Sequence, residues 1–392
     1  MKLFFSAGEP SGDVHTASLM HELRAQHSDV EFTGFGGPHM QAAGCRLLFP
    51  LADYPVIGIV QALAGLRRFI GLSKDAGRHL RDERPDAVVL VDYPGFNWWI
   101  ARRAKSLGIP VFYFLPPQVW AWATWRVGKM RRLVDHVLCM FPFEVDWYRQ
   151  RSVPATLVGH PYFDELLAQQ LDSDFLSEHV GTPDAPVIGI LPGSRTTEVE
   201  RNLPIYLRAA ERIAREFPQA RFPIACFREQ HGALVASHIA ASTLGGRARP
   251  HVGRTAEIIH ASDVCMAKSG SVSLELLFHT KPSTIMYQIS KADYPIYRTL
   301  RALGVMSAPY ITLVNILAGR ELLPEFLTCR DVSADVAERL MKWLRDPAAH
   351  AETVAELAGL KRIVVEPGAS ARTARYILDQ LVAPGVATRR AA

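Results

Sequence analysis

Ser262-Asp-Val-Cys-Met-Ala-Lys-Ser-Gly-Ser-Val-Ser-Leu-Glu275 decides how this chain is read. Its apolar run reads as a strand, Ser269-Gly270 as a tight turn, and the residues from Ser271 onward as the opening of a helix. A strand that gives way to a helix in this manner leaves unpaired backbone N–H groups, and the positive helix end, facing whatever lies above the strand. Ser269, Gly270 and Ser271 therefore have the pattern of a diphosphate cradle. Glu275 lies about one helical turn further on, where a carboxylate can accept from the vicinal hydroxyls of a ribose. Gly189-Ile-Leu-Pro-Gly-Ser-Arg195 repeats the device, with Gly193 and Ser194 at the turn and Arg195 offering a bidentate fork to phosphate oxygens. Two such turns in one half of the chain point to a nucleotide.

Outward from these turns, short β-rich runs alternate with helical patterns. The strand candidates are Lys2 to Ser6, Glu31 to Gly36, Asp86 to Asp92, Pro110 to Leu115, His136 to Phe141 and Ala155 to Gly159. After a polar stretch around Leu171 to Pro186 the rhythm restarts at Val187 to Leu191 and continues through Phe222 to Cys226, His251 to Gly253, Val264 to Ala267 and Thr284 to Gln288. This alternation predicts an α/β protein with two doubly wound domains, residues 1–180 and 186–346, whose strand ends face a cleft. Residues 347–392 read as a helical segment, broken at Glu366-Pro-Gly-Ala369 before a final helix. A chain of 392 residues is too long for one ordinary core and comfortable for two.

Composition narrows the field. The net charge of +5 is modest but unevenly placed, with Arg67, Arg68, Lys74, Arg78, Arg81 and Arg84 in one cluster and Arg126, Lys129, Arg131 and Arg132 in another. Such clusters suit phosphate groups or an anionic surface, or form a solvated helix face. No nucleic-acid-binding motif accompanies them, so nucleic acid is not an expected partner. The 5 cysteines are odd in number and dispersed in apolar runs, as reduced core residues of a cytosolic protein are. The start has too short an apolar stretch for a signal peptide, and no run reaches membrane-spanning length. Histidines are scattered and no Cys-x-x-Cys occurs, so no metal site is expected.

Several loops after strands can carry chemistry. Ser6-Ala-Gly-Glu-Pro-Ser-Gly-Asp13 is a glycine-bearing turn before a helix expected to begin near Val14, and is either ligand-facing or a plain connection capped by Ser11 or Asp13. Asp92 ends the apolar strand Ala87-Val-Val-Leu-Val91, where a carboxylate can take a proton from an attacking hydroxyl or cap the next helix. His15 reads as a packed helix residue. Val119-Trp-Ala-Trp122 followed by Trp125-Arg126 is dense in indoles, which wall a sugar or lipid site or anchor two domains together. From Ile57 to Ile70 the chain carries more apolar residues than one helix stripe needs, and a basic segment follows; this is an interfacial helix or a core one.

Taken together, Ala7-Gly-Glu-Pro-Ser-Gly-Asp13, Asp92-Tyr-Pro-Gly-Phe-Asn97, Val119-Trp-Ala-Trp122, Gly159-His-Pro161, Leu191-Pro-Gly-Ser-Arg195, Ser269-Gly-Ser271 with Glu275, and Asn315 with Ala318-Gly-Arg-Glu321 closely resemble the lipid-A-disaccharide synthases. The matches run in order from residue 7 to about residue 327. The resemblance implies the GT-B fold, with C-terminal helices that cross back or are exchanged between protomers. It implies an inverting glycosyltransferase that takes a UDP-acyl-sugar donor and an acyl-sugar-phosphate acceptor, with no cofactor or metal. By the same resemblance Gly193, Ser194, Arg195, Ser269, Gly270, Ser271, Glu275, Asn315 and Arg320 hold UDP, and Asp92 is the base. Gly8, Glu9, Ser11, Gly12, Asp13, Asn97, Trp120, Trp122 and Arg126 fall to the acceptor side. Val60, Leu63, Leu66, Phe69 and Ile70 are then expected to meet acyl chains or bilayer at the cytoplasmic face of the inner membrane. A homodimer with exchanged C-terminal segments is also implied.

Rival readings on the same fold are a UDP-sugar 2-epimerase and a nucleotide-sugar or lipid-binding protein without turnover. The sequence departs from the family at four places. Pro10 stands where Ala or Thr is common, Gly95 where a second aspartate is frequent, and Gln288 where a basic residue is usual. Arg126 is displaced by two positions, because Trp-Ala-Trp-Ala-Thr-Trp-Arg replaces Trp-Ala-Trp-Arg.

Overall fold

The fold is described from a computed structural model that covers residues 1–53 and 59–382, without the side chains of 59–66. Seven strands form the first sheet: β1 (Lys2–Ala7), β2 (Glu31–Phe35), β3 (Cys45–Phe49), β4 (Ala87–Val91), β5 (Val111–Phe114), β6 (His136–Cys139) and β7 (Ala155–Leu157). Six form the second: β8 (Ile188–Leu191), β9 (Phe222–Cys226), β10 (Ala248–Val252), β11 (Val264–Lys268), β12 (Ser283–Gln288) and β13 (Glu325–Thr328). The pairings within both sheets are parallel. Central strands are buried throughout, as in Ala87-Val-Val-Leu-Val91 and Ile188-Gly-Ile-Leu191, because helices cover both faces of such a sheet.

The strand orders are β3-β2-β1-β4-β5-β6-β7 and β10-β9-β8-β11-β12-β13. Each order reverses once, between β1 and β4 in the first sheet and between β8 and β11 in the second. At such a reversal the following helices leave to opposite faces and open a crevice above the strand ends, the usual ligand position in open parallel sheets. Asp92 follows β4 and the Gly8 loop follows β1. The Gly193 and Ser269 loops follow β8 and β11.

Two strands were not legible in the sequence. β3 is an edge strand whose side chains alternate between buried and exposed, and β13 is an edge strand of four residues opening on Glu325. Edge strands bury less and so carry weaker apolar runs. The helix expected near Val14 begins at Pro10, since proline at the first helical position has no N–H to leave unsatisfied. Ser11, Gly12 and Asp13 consequently lie in its first turn.

The chain divides into two compact units, Met1–Leu167 with the segment from Glu366, and Ala168–Val365. Helix Ser173–Glu178 belongs with the second unit, where Arg254 pairs with Asp172 at 2.8 Å and Arg221 donates to the Glu178 carbonyl at 3.0 Å. Helix Pro347–Val364 is also part of the second unit, its His350 Nε2 lying 3.0 Å from the Asp263 carbonyl. The final helix, Ala369–Val382, packs on helix Pro10–Gln26 of the first unit. Its start is held by Asp164, which accepts from the Gly368 N–H at 2.6 Å and the Ser370 N–H at 3.2 Å, while Arg372 reaches the Val158 carbonyl at 2.9 Å. The first core gathers Phe4, Val88, Leu90, Ile100, Tyr113 and Val137, and the second Ile190, Leu203, Tyr206, Ile224, Met266 and Leu340.

Candidate functional site

At the reversal of the first sheet the backbone is unusual. Asp92 and Tyr93 both have positive φ, 43° and 44°, in a region that tyrosine rarely adopts. Residues held so cost on the order of 1–3 kcal/mol each and persist only where neighbours over-determine them. Here the neighbours are plain. The Asp92 carbonyl accepts from Asn97 Nδ2 at 2.7 Å and from the Tyr113 hydroxyl at 2.8 Å, and the Asp92 N–H donates to the Leu115 carbonyl at 3.2 Å. The backbone of Asp92 is thereby pinned, and its carboxylate is half-buried. Burial pushes that carboxyl above the ordinary aspartate range, and the Tyr93 backbone N–H offsets only part of the rise. Among the described residues no Lys or Arg pairs with it. A carboxylate so placed is the better base, because its proton affinity moves toward the working pH.

The facing loop fits against it. A Cβ at Gly8 would lie 2.3 Å from the Tyr93 ring, so only glycine lets the two loops interlock. Burial and the Glu9 carboxylate push the Tyr93 phenol up, which keeps it neutral beside this rim. Ser11 is exposed there, and a Cβ at Gly12 would meet Val91 at 3.5 Å, an ordinary contact.

Two residues assigned to the acceptor side turn inward instead. Asp13 is buried and accepts from the N–H groups of Gly37, His39 and Met40 at 2.8, 2.9 and 3.0 Å, capping the short helix Pro38–Ala42. Asn97 is buried too, and ties β1 to β4. Its Oδ1 accepts from the Ser6 hydroxyl at 2.6 Å, and its Nδ2 donates to the carbonyls of Ser6, Val91 and Asp92. Both are positioning groups for the loops rather than surfaces of them.

The indole cluster splits in the same way. Trp120 is buried, stacks edge-on against Phe143 at 4.9 Å and donates to Glu144 at 3.0 Å. Glu144 is itself wholly buried, and burial pushes its carboxyl up to about 7 despite Trp120 and the N–H groups of Phe141 and Met140. Trp122 and Trp125 are 48% and 63% exposed, and Arg126 lies over the Trp122 ring at 4.3 Å. Arg126 is thus kept beside an open aromatic face despite its displaced position in the sequence.

Among the expected membrane or acyl contacts, Val60, Leu63 and Leu66 lie outside the described side chains. Phe69 and Ile70 are half-buried, and Phe69 packs on Phe96 at 5.6 Å, so it contributes to the first core. The helix that carries them, Ile59–Glu83, turns basic further along. Lys74, Arg78 and Arg81 share one face and, with Arg103 and Ser106 from helix Pro94–Ser106, line a groove of about 540 Å³. Among the described residues only Arg78 of these cations has an acidic partner, Asp75.

At the reversal of the second sheet the N–H groups of the loop after β8 are already engaged. Glu198, in the first turn of helix Thr196–Glu216, accepts on Oε2 from the N–H groups of Ser194 and Arg195 at 3.2 and 3.3 Å. Its Oε1 lies 3.1 Å from Lys268 Nζ and 3.7 Å from Arg195 Nη1. Gly193, at φ +135°, makes room for it, because a Cβ there would stand 2.6 Å from Glu198. Burial raises the Glu198 carboxyl, but Lys268, the Arg195 N–H and the Arg195 charge together bring it below the ordinary range. Arg195 keeps a side chain that is 76% exposed. Ser269 is buried, Gly270 and Ser271 are exposed, and Glu275 is buried in helix Val272–Phe278.

Sequence reasoning gave neither Glu198 nor Lys268 a role. Glu198 was within reach of it, since an acid at the third helical position is the mark of a capping box. The part played by Lys268 depends on which loop faces it.

Asn315 and Arg320 are both engaged with neighbouring groups of their own unit. The Asn315 amide is engaged on all sides, accepting from the N–H groups of Leu322 and Leu323 and donating to the Leu323 carbonyl and to Glu325. Glu325 in turn accepts from Ile311, Thr312 and Asn315 at 2.7 to 2.8 Å. Asn315 therefore shapes this loop from within. Arg320 pairs with Glu356 at 2.6 Å on helix Pro347–Val364.

Two parallel, doubly wound sheets with their polar loops gathered at the reversals define an α/β protein of the GT-B class. Solved structures agree on the fold. UDP-GlcNAc 2-epimerase from Neisseria meningitidis superposes with a TM-score of 0.63 over 97% of this chain and 100% of its own, at 12% identity. CalG4, the calicheamicin glycosyltransferase, superposes with a TM-score of 0.59 over 98% and 99%, at 15% identity. At those identities the likeness concerns the fold alone. Sequence relatives supply the chemistry. The family described as Lipid-A-disaccharide synthetase matches residues 3–358. Lipid-A-disaccharide synthases of Anaeromyxobacter dehalogenans (strain 2CP-C) and Chromobacterium violaceum are 36% and 34% identical, over 96% and 97% of this chain and 97% of each relative. The chain belongs to the lipid-A-disaccharide synthase family, and is a glycosyltransferase that takes a nucleotide-sugar donor and a sugar-phosphate acceptor.

Proposed function

We propose that this enzyme joins UDP-2,3-diacylglucosamine to 2,3-diacylglucosamine 1-phosphate, giving a β-1,6-linked disaccharide 1-phosphate and UDP. The observation that carries the reading is Asp92, an unpaired carboxyl of raised proton affinity fixed at the end of β4. Inversion is a single displacement. The acceptor 6-hydroxyl forms a bond to C1 of the donor as the bond from C1 to the diphosphate oxygen breaks. The hydroxyl proton passes to Asp92, and UDP leaves with the electron pair.

On the donor side Gly193, Ser194, Arg195, Ser269, Gly270 and Ser271 take the diphosphate and Glu275 the ribose. Arg195 and the N-terminus of helix Thr196–Glu216 carry the charge that develops on the departing UDP. Asn315 and Arg320 support that side by holding their loop in shape. On the acceptor side Gly8, Glu9, Ser11 and Gly12 form the loop facing Asp92, with Asp13 and Asn97 holding it, and Trp122 with Arg126 offers a flat cationic face to an acyl sugar and its phosphate.

Both substrates carry acyl chains, so the enzyme works peripherally at the cytoplasmic face of the inner membrane. Helix Ile59–Glu83 suits that place, with Ile59, Val60, Leu63 and Leu66 ahead of Phe69 and Ile70 in its sequence and the basic groove of Lys74, Arg81 and Arg103 behind them. Among the described residues no helix is long and apolar enough to cross a membrane. Two copies pair by exchanging the final helix, whose docking on helix Pro10–Gln26 can be made within one chain or between two.

Incubation with both acyl sugars, one radiolabelled, should release UDP and disaccharide together. UDP or UDP-sugar turnover without acceptor would count against transfer.

A further inference from the structure

Glu198 collects two backbone N–H groups, an ammonium and a guanidinium on one carboxylate. That is the donor set a pair of phosphate oxygens would take at the same place. A helix cap alone accounts for the two N–H contacts but not for the cation. Lys268 arrives from the end of β11, a different loop, and among the described residues Glu198 is its only acidic partner. Nor does a cap explain the glycine opposite, where any Cβ would meet the Glu198 side chain at 2.6 Å.

We propose that Glu198 is an internal counterpart of the diphosphate, seated in the cradle until UDP arrives, and that Lys268 is the cation handed from Glu198 to the ligand. The inference rests on the donor-side reading given above. The exchange needs little motion. The contact from Arg195 to Glu198 is loose at 3.7 Å and its side chain is mostly exposed, so the guanidinium is free to swing to a phosphate. Once the Ser194 and Arg195 N–H groups turn to phosphate oxygens, Glu198 is left as a negative charge beside a negative ligand. Like charges at that separation oppose one another, which limits affinity for UDP and favours its departure after transfer. Lys268 lessens the repulsion by standing between the two. Glu198 and Lys268 are thus positioning residues that set how tightly the product diphosphate is held.

Calorimetric titration of the full-length enzyme with UDP and, separately, with uridine tests this. Glu198→Gln keeps an oxygen for the two N–H groups and removes the charge, so UDP should bind about fivefold tighter with uridine unchanged. Lys268→Ala should weaken UDP about tenfold and again leave uridine unchanged. Tighter UDP binding is a result that a purely structural cap could not give. Weaker or equal UDP binding by the Glu198→Gln variant, with a lowered melting temperature, would show a simple cap and overturn the proposal. If Lys268→Ala left UDP affinity intact, the handover would be refuted even should Glu198→Gln fail to fold. Wild-type enzyme that bound neither UDP nor uridine would sink the donor-side reading itself, and the proposal with it.

Discussion

At the reversal of the first sheet, Asp92 stands half-buried with no cation beside it and its proton affinity is raised. At the matching point of the second sheet, Glu198 stands between Lys268 and Arg195 and its proton affinity is lowered. Both carboxyls pay the desolvation of a site above strand ends, and burial is the largest influence on each. What differs is the company. One rim is arranged so that an acid can take up a proton, the other so that negative charge is held in place. Two groups of one chemistry whose surroundings drive them apart mark a division of roles. A doubly wound sheet supplies the crevice, and the residues around it decide whether that crevice handles protons or anions.

The largest effect that would sharpen this contrast is at Asp92. Asp92→Asn should lower kcat by about 10²–10⁴-fold and leave the UDP dissociation constant unchanged. Because burial raises the folded proton affinity of Asp92, ionising it opposes folding, and that cost sets in as pH rises from the unfolded aspartate range through the folded value. The asparagine variant should therefore melt no lower than wild type at pH 8. In the wild type the acidic limb of kcat against pH should fall above the range of an ordinary aspartate, and disappear in the variant. A variant of normal kcat would remove Asp92 as the base and dissolve the contrast.

An intermediate effect is expected at the paired glycines. Gly8→Ala forces a methyl against the Tyr93 ring, and Gly193→Ala forces one against Glu198 at a backbone angle that alanine resists. Each should cost on the order of 1–3 kcal/mol of stability, read from thermal or urea unfolding. Their kinetic signatures should part, with Gly8→Ala acting on kcat and on KM for the acceptor, and Gly193→Ala acting on UDP affinity. If both variants changed the same constant, the two rims would not have separate tasks.

The smallest effect concerns Gly95, in the first turn of helix Pro94–Ser106, where a Cβ would meet nothing within 4 Å. Gly95→Asp should fold normally and gain about 0.5–1 kcal/mol, since an acid suits a helix N-terminus better than glycine does. A second carboxylate near Asp92 should also raise the pH at which the acidic limb falls. An unshifted limb would place residue 95 too far away to matter.

Much of this is legible in the amino-acid sequence itself. Strand runs such as Ala87–Val91 and Val264–Lys268 declare themselves, because a strand buried on both faces has to be apolar throughout. The loop residues Gly8, Asp92, Gly193 and Ser269 were legible as well, because a strand end followed by a helix start is a local signal. Less legible were the parts whose meaning lies in distant partners. Asp13 looks like a ligand residue until the N–H groups of Gly37, His39 and Met40 close on it, and Asn97 until Ser6, 91 residues earlier, is found at its side chain. Trp120 and Trp122 are two positions apart in one motif, yet the first is sealed against Glu144 and the second lies open beneath Arg126.

Residue order alone set the alternation of strand and helix, the turns that end each strand, and the family, since these follow from local preference and from motifs in series. Only the folded chain decided which polar groups are spent on one another and which remain for a substrate. The reason is that hydrogen bonds and charges act over a few ångströms of space, and chain folding brings together groups that the sequence holds far apart.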